Sequence, residues 1–130
     1  CLITPDEITE VLRQACIYGA AAAAEMMTDT VKRCDDRGFV TETVDRSALM
    51  RAQTPQCFKT SLYLASAYTA ERDGFEATDD CSVAEHAGFP VRMVDCGRTN
   101  MKITTPEDLV IARALLTSRN LTARAADSHN

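Results

Sequence analysis

The chain has no tryptophan and few other aromatic residues, yet 45% of its 130 residues are hydrophobic. That is the size of one ordinary domain, or part of one, with enough apolar content to bury a core. No Gly-rich phosphate loop occurs, so the usual sequence mark of a complete nucleotide site is missing. No stretch approaches the roughly 20 consecutive apolar residues needed to span a bilayer, and no basic segment followed by an apolar run marks the N-terminus. These absences point to a soluble intracellular protein with no membrane partner. An excess of positive charge is lacking too: the net charge is -5 and the pI is near 5.0. A nucleic-acid partner needs a basic stripe that is not there, so any phosphate must be handled by a few placed cations.

Cysteine usage is equally restrictive. Cys1, Cys16, Cys34, Cys57, Cys81 and Cys96 include no C-x-x-C pair, and the chain has two histidines. The spacing fits reduced thiols better than a zinc site or a disulfide framework. His86 lacks a second ligand at helical spacing and His129 lies in the polar tail, so neither supports a metal site. No Ser-His-Asp or Cys-His constellation can be assembled.

What is present reads as alternating helices and short strands. Thr4-Pro5-Asp6-Glu7 offers an N-cap threonine, a proline at the first helical position and a glutamate three residues after the cap. The helix that follows places Ile8, Val11, Leu12 and Ala15 on one face and ends near Gly19. Ala20 to Ala24, with Met26 and Met27, form a short apolar run suited to a strand covered on both faces. Asp35-Asp36-Arg37-Gly38 has turn composition, so Val31 to Val44 reads as a projecting hairpin with Phe39 to Val44 as the return strand. Lys59 to Arg72 reads as a helix with Leu62, Ala65 and Tyr68 inward, and Thr78-Asp79-Asp80 opens a short helix ending at Gly88. Val91 to Asp95 and Met101 to Ile103 read as strands. Thr105-Pro106-Glu107-Asp108 repeats the first capping pattern, with Leu109, Ala112, Leu115 and Leu116 inward, and beyond Thr117 the chain is expected to fray. The fold class is α/β with a hairpin insertion.

Each candidate site residue has a bland reading and a chemical one. Lys102, between a strand and a helix start, is an exposed strand lysine or an ammonium beside free helix N-H groups, an arrangement that holds phosphate. Arg46 is a surface ion pair with Asp45 or Glu42, or a guanidinium gripping phosphate with two parallel donors. Thr30, Thr54 and Thr78 are a strand residue, a turn residue before Pro55 and an N-cap, or three hydroxyls for a polyol. Asp79 and Asp80 serve a helix N-terminus, or bind a metal or take a proton.

Taken in order, Thr28-Asp29-Thr30-Val31-Lys32-Arg33, Val44-Asp45-Arg46, Gln53-Thr54-Pro55-Gln56-Cys57-Phe58, Ala77-Thr78-Asp79-Asp80-Cys81-Ser82 and Asn100-Met101-Lys102-Ile103-Thr104-Thr105-Pro106-Glu107-Asp108-Leu109 are far more specific than any one block. Together they resemble the 2-C-methyl-D-erythritol 4-phosphate cytidylyltransferases. The resemblance runs from about Cys1 to Leu116 and corresponds to the C-terminal part of that family. It implies residues 1-118 as the C-terminal part of one Rossmann-like nucleotidyltransferase domain, a protruding β-arm at about 28-46, and a polar tail at 119-130. The first residue being Cys1 rather than Met, with a capped helix starting almost at once, fits a chain that begins partway through a fold.

The resemblance further implies cytidylyl transfer from CTP, with Mg²⁺, to methylerythritol phosphate in the non-mevalonate isoprenoid pathway. Lys102 would contact the reacting phosphate. Thr78 and Thr54 would hold the polyol phosphate, while Thr30 and Arg46 would reach the substrate of the neighbouring subunit in a homodimer joined through the arm. The location implied is cytoplasmic, or plastid in a plant. The family's Gly-rich CTP loop and an aspartate-containing segment would precede Cys1, so the chain alone is expected to be inactive. Glu25 departs from the apolar residue or proline common at that strand end. Two alternatives stand: the related ribitol-5-phosphate cytidylyltransferase, and a non-catalytic, truncated dimerisation module.

Overall fold

The computed structural model describes residues 2–127, except the side chains of residues 121–127; Cys1 and His129 lie outside the described residues. Helix α1 (Pro5–Tyr18) leads into strand β1 (Ala20–Met26), then the hairpin strands β2 (Val31–Cys34) and β3 (Val40–Val44). A 3-10 turn at Arg46–Ala48 precedes β4 (Met50–Phe58), which is followed by α2 (Thr60–Asp73), α3 (Asp80–His86), β5 (Arg92–Asp95) and α4 (Pro106–Asp127). The main sheet has the order β4-β1-β5, with β1 antiparallel to β4 and parallel to β5. β2 and β3 form a separate two-stranded sheet.

Local chemistry sets the start of α1 as its sequence suggested. The Thr4 hydroxyl accepts from the Glu7 amide at 3.3 Å while the Glu7 carboxylate accepts from the Thr4 amide at 2.6 Å, so two donors that the first turn would leave open are satisfied reciprocally. Gly19 ends the helix at φ 94°, and a Cβ there would come within 3.0 Å of Leu62, so glycine is needed both for the turn and for the approach of α2. β1 follows at once. Ala20 to Ala24 are all 0% exposed. Ala21 and Ala23 pack with Val11, Ala15 and Cys96, flanked by Ile3, Cys57 and Val94; the alternate alanines face the other way. Small side chains let a helix and two strands approach β1 closely.

Several sequence expectations shift. Along α1 the buried residues are Val11 and Ala15, while Ile8 and Leu12 remain 37% and 50% exposed. On α2 the inward stripe is Ser66 and Ala70 rather than Ala65 and Tyr68, with Leu62 half-buried. Ser66 fits there because its hydroxyl donates to the Leu62 carbonyl at 2.9 Å. The stretch around Gln53-Thr54-Pro55-Gln56, whose Thr54 looked like a turn residue, lies inside strand β4. Proline is tolerated because β4 is an edge strand of the described sheet and its register with β1 is irregular between Ala22 and Ala24; the Thr54–Pro55 peptide is cis.

Met101 to Ile103 do not form a strand. They are an extended connection that reaches the α4 cap, where the Thr105 hydroxyl accepts from the Asp108 amide and the Asp108 carboxylate accepts from the Thr104 and Thr105 amides. α4 buries Ala112, leaves Leu109 and Leu116 exposed, and continues past Thr117 to Asp127 instead of fraying.

The hairpin has the expected turn. Asp35 accepts from the amides of Arg37 and Phe39 at 3.0 and 2.8 Å, and Gly38 takes φ 84°. Arg33 pairs with Glu42 across the strands, but only Val31 and Val44 are partly covered. Both faces of the ribbon are wet.

Because β1 is enclosed on both faces, Ala22→Leu should lower stability by about 1–3 kcal/mol through overpacking. Urea denaturation of the variant against wild type checks it.

Candidate active site

Three segments converge at one end of the main sheet: the middle of β4, the start of α3, and the connection from β5 to α4. Between them lies a cleft of about 710 Å³ whose wall includes Arg51, Gln53, Thr54, Asp79, Asn100 and Lys102. A more open depression of about 530 Å³ adjoins it and takes in Thr54, Thr78 and Asp80. Thr54, Gln56 and Asp79 line both. The structure therefore brings Thr54, Thr78 and Lys102 onto one continuous surface. Thr30 and Arg46 line neither cavity; they sit at the root of the hairpin.

The start of α3 is built by two polar side chains. Asp79, not Thr78, is the N-cap: its carboxylate accepts from the Ser82 amide at 2.9 Å. Its extended backbone leaves Thr78 one residue outside the helix, where the Thr78 amide donates to the Ser82 hydroxyl at 3.2 Å. Gln56 ties this turn to β4, donating to Asp79 at 3.0 Å and accepting from the Cys81 amide at 3.2 Å. Asp80 accepts from the Tyr63 hydroxyl. Both aspartates are thus occupied by the fold, and among the described residues no group of three or more His, Cys, Asp or Glu side chains converges to hold a metal.

Lys102 is exposed, and no hydrogen bond or ion pair engages its ammonium among the described residues. Just before α4, Asp108 accepts from the Thr104 and Thr105 amides at 2.8 Å each. Those two amide bonds, followed by the Thr104 and Thr105 hydroxyls, hold the Asp108 carboxyl below its ordinary value of 3.8.

Arg46 also departs from its bland reading. Its guanidinium donates to the Thr28 carbonyl, because Asp45 is engaged by the Ser47 amide and hydroxyl and Glu42 by Arg33. The bond clamps the two roots of the hairpin together. Beneath the cleft, Cys81 is buried, and desolvation, helped by Asp79, Glu85 and Asp80, pushes its thiol up to about 12. The described cysteines are free thiols, in line with their spacing.

Sequence reasoning did not single out Gln56, Asn100 or Arg51. Asn100 is 3% exposed and donates to the Thr54 carbonyl at 2.7 Å and to Gln53 at 3.2 Å. Gln56 and Asn100 stood inside the diagnostic blocks, but nothing in a linear pattern shows that they reach 25 and 46 residues along the chain to their partners.

Solved structures share this fold. A crystal structure of 2-C-methyl-D-erythritol 4-phosphate cytidylyltransferase from Thermus thermophilus matches with a TM-score of 0.77 and 35% identity, over 88% of this chain and 56% of that one. The 4-diphosphocytidyl-2C-methyl-D-erythritol synthase structure from Anaerococcus prevotii matches with a TM-score of 0.81 and 30% identity, over 89% of this chain and 54% of that one. The fold is that of an α/β nucleotidyltransferase.

The model of the family described as IspD, 2-C-methyl-D-erythritol 4-phosphate cytidylyltransferase, matches residues 1–118, and the chain belongs to that family. A relative of that name from Desulforamulus reducens is 44% identical over 92% of this chain and 51% of its own length. A chloroplastic one from rice is 36% identical over 91% of this chain and 40% of its own. The chain spans about half the length of the curated relatives it matches.

Two outcomes follow from the local electrostatics. A carboxyl whose folded pKa is depressed stabilises the fold above its unfolded value and loses that contribution as pH falls through the folded one. Thermal midpoints should therefore fall as pH drops below about 4, and less steeply in Asp108→Asn, in scans from pH 5 to 2.5. In native protein at pH 8, iodoacetamide should label the exposed Cys16 and Cys34 and spare Cys81 until urea is added, as read by mass spectrometry.

Proposed function

We propose that this chain supplies the polyol-phosphate side of an active site that transfers a cytidylyl group from CTP to 2-C-methyl-D-erythritol 4-phosphate. An oxygen of the substrate phosphate attacks the α-phosphorus of CTP, a new P–O bond forms, and the bond to the β-phosphate breaks. The products are 4-diphosphocytidyl-2-C-methyl-D-erythritol and pyrophosphate, a step of non-mevalonate isoprenoid biosynthesis. In such chemistry a protein mainly aligns the two phosphates and stabilises the charge around phosphorus.

The observation that carries the reading, beside family membership, is the meeting of Thr54, Thr78 and the unengaged Lys102 ammonium on one surface. Lys102 takes the catalytic role, placing positive charge on the reacting phosphate. Thr54 and Thr78 offer hydroxyls to the polyol phosphate. Thr30 and Arg46, remote from their own chain's cleft, serve the substrate of a neighbouring subunit. The assembly is a homodimer in which the two-faced ribbon β2–β3 crosses to the partner.

Mg²⁺ is assigned to the triphosphate of CTP. The described residues hold no group of three or more His, Cys, Asp or Glu side chains to cage it. Among the described residues no helix is long and apolar enough to cross a membrane; the location proposed is cytoplasmic, or plastid in a plant.

In the full-length protein, Lys102→Ala should lower kcat by about 10²–10³-fold, as loss of one charge-stabilising donor does, measured as pyrophosphate release with CTP and methylerythritol phosphate. Unchanged turnover removes Lys102 from the site. Faster turnover of ribitol 5-phosphate in the same assay would favour the related polyol enzyme. Product formation by the isolated 130-residue chain would overturn its proposed dependence on a separate CTP-binding part.

A further inference from the structure

Glu25, near the end of β1, is 5% exposed, the buried charged side chain among the described residues. A carboxylate withdrawn from water is tolerated only when it is paired and hydrogen-bonded. Here three side chains from two segments supply the partners. Arg51, its register partner on β4, donates to Oε2, and Gln53 Nε2 lies 3.5 Å from the same oxygen. Arg98, in the turn after β5, brings its Nε to 3.3 Å from Oε1. One counterion would satisfy the charge; two guanidiniums reach in from solvent, 61% and 71% exposed, from different parts of the chain.

The network runs on toward the cleft. Gln53 also donates to the Gly97 carbonyl at 3.3 Å and accepts from Asn100 at 3.2 Å, and Asn100 donates to the Thr54 carbonyl at 2.7 Å. The Cys96 amide donates to the Ala24 carbonyl at 2.9 Å, and the Gly97 amide donates to Asp95 at 2.9 Å. Residues 97–102 belong to no helix or strand, so side-chain bonds, these together with the one that Arg119 of α4 donates to the Thr99 hydroxyl, rather than a backbone ladder, hold the segment that ends in Lys102.

We propose that Glu25 is a positioning residue for the transfer reaction: through Arg98 and Gln53 it braces segment 97–102 and so sets the place of the Lys102 ammonium against the reacting phosphate. The proposal rests on the cytidylyl-transfer reading above. It assigns work to a buried charge that the fold alone does not need, since an apolar side chain would end β1 at lower desolvation cost.

The test uses the full-length protein with Glu25→Gln, and with Arg98→Ala as a surface change that leaves the buried carboxylate its Arg51 partner. Each should lower kcat by roughly 10- to 10²-fold, the cost of a small misplacement of a catalytic group, with KM for both substrates little changed. Combined with Lys102→Ala, neither should reduce kcat further, because the brace acts through that ammonium. Amide hydrogen exchange across residues 97–102 should speed up in both variants while the global unfolding midpoint of Arg98→Ala stays near wild type.

Unchanged kcat in both variants, or a full-sized loss that persists without Lys102, overturns the proposal. The exchange measurement separates its failure from that of the reaction assignment. If Lys102→Ala proves silent, the catalytic role falls, yet faster exchange still supports the brace and unchanged exchange removes it.

Discussion

Everything at the functional end of this molecule hangs on the complete enclosure of β1. Five consecutive alanines give the strand almost no side-chain reach, so α1 closes on one face, α3 packs on the other, and β4 and β5 flank it. Close packing of this kind transmits position faithfully, because no side chain can yield by changing rotamer. The strand end then delivers Glu25 to one fixed point. β4 delivers Arg51 through Gln56, and β5 delivers the turn that leads to Lys102. The cleft is the place where three backbones, aligned by one narrow strand, run out of sheet.

The polar chemistry is layered on that alignment. Asp79 and Asp108 each serve a helix start and are therefore saturated by amides. Asp79 and Asp80, which in a linear reading could bind a metal or take a proton, are engaged by Ser82, Gln56 and Tyr63. The cation is the reverse case: Lys102 has neighbours in chain but no engaged partner among the described residues. The unengaged ammonium is the local feature on which the anion-binding proposal rests, and it says more than a count of charges along a chain with net charge -5.

Features governed by near neighbours were legible in the sequence. The capping boxes at Thr4 and Thr105, the turn at Asp35 to Gly38 and the doubly covered alanine strand are decided within a few residues, where propensity and hydrogen bonding agree. β4 was not legible, because Pro55 and the surrounding polar residues look like a turn until the edge position and irregular register are known. Met101 to Ile103 have strand-like composition but no strand to pair with, and α2 turned its Ser66–Ala70 stripe inward because Gly19 brings Leu62 close. For the candidate site, Lys102, Thr54 and Thr78, which line one continuous surface, were singled out through ordered blocks. The brace of Glu25, Gln53, Arg98 and Asn100 was not, since its partners are 26 to 73 residues apart and only the folded sheet brings them together.

The β2–β3 ribbon carries a different lesson. Its strands pair with each other, both faces meet water, and a single clamp from Arg46 to Thr28 closes its base. A two-stranded sheet with no packed face is marginal in water. A surface that bound the ribbon would therefore order it by mass action, in proportion to that surface's concentration, without changing the main sheet.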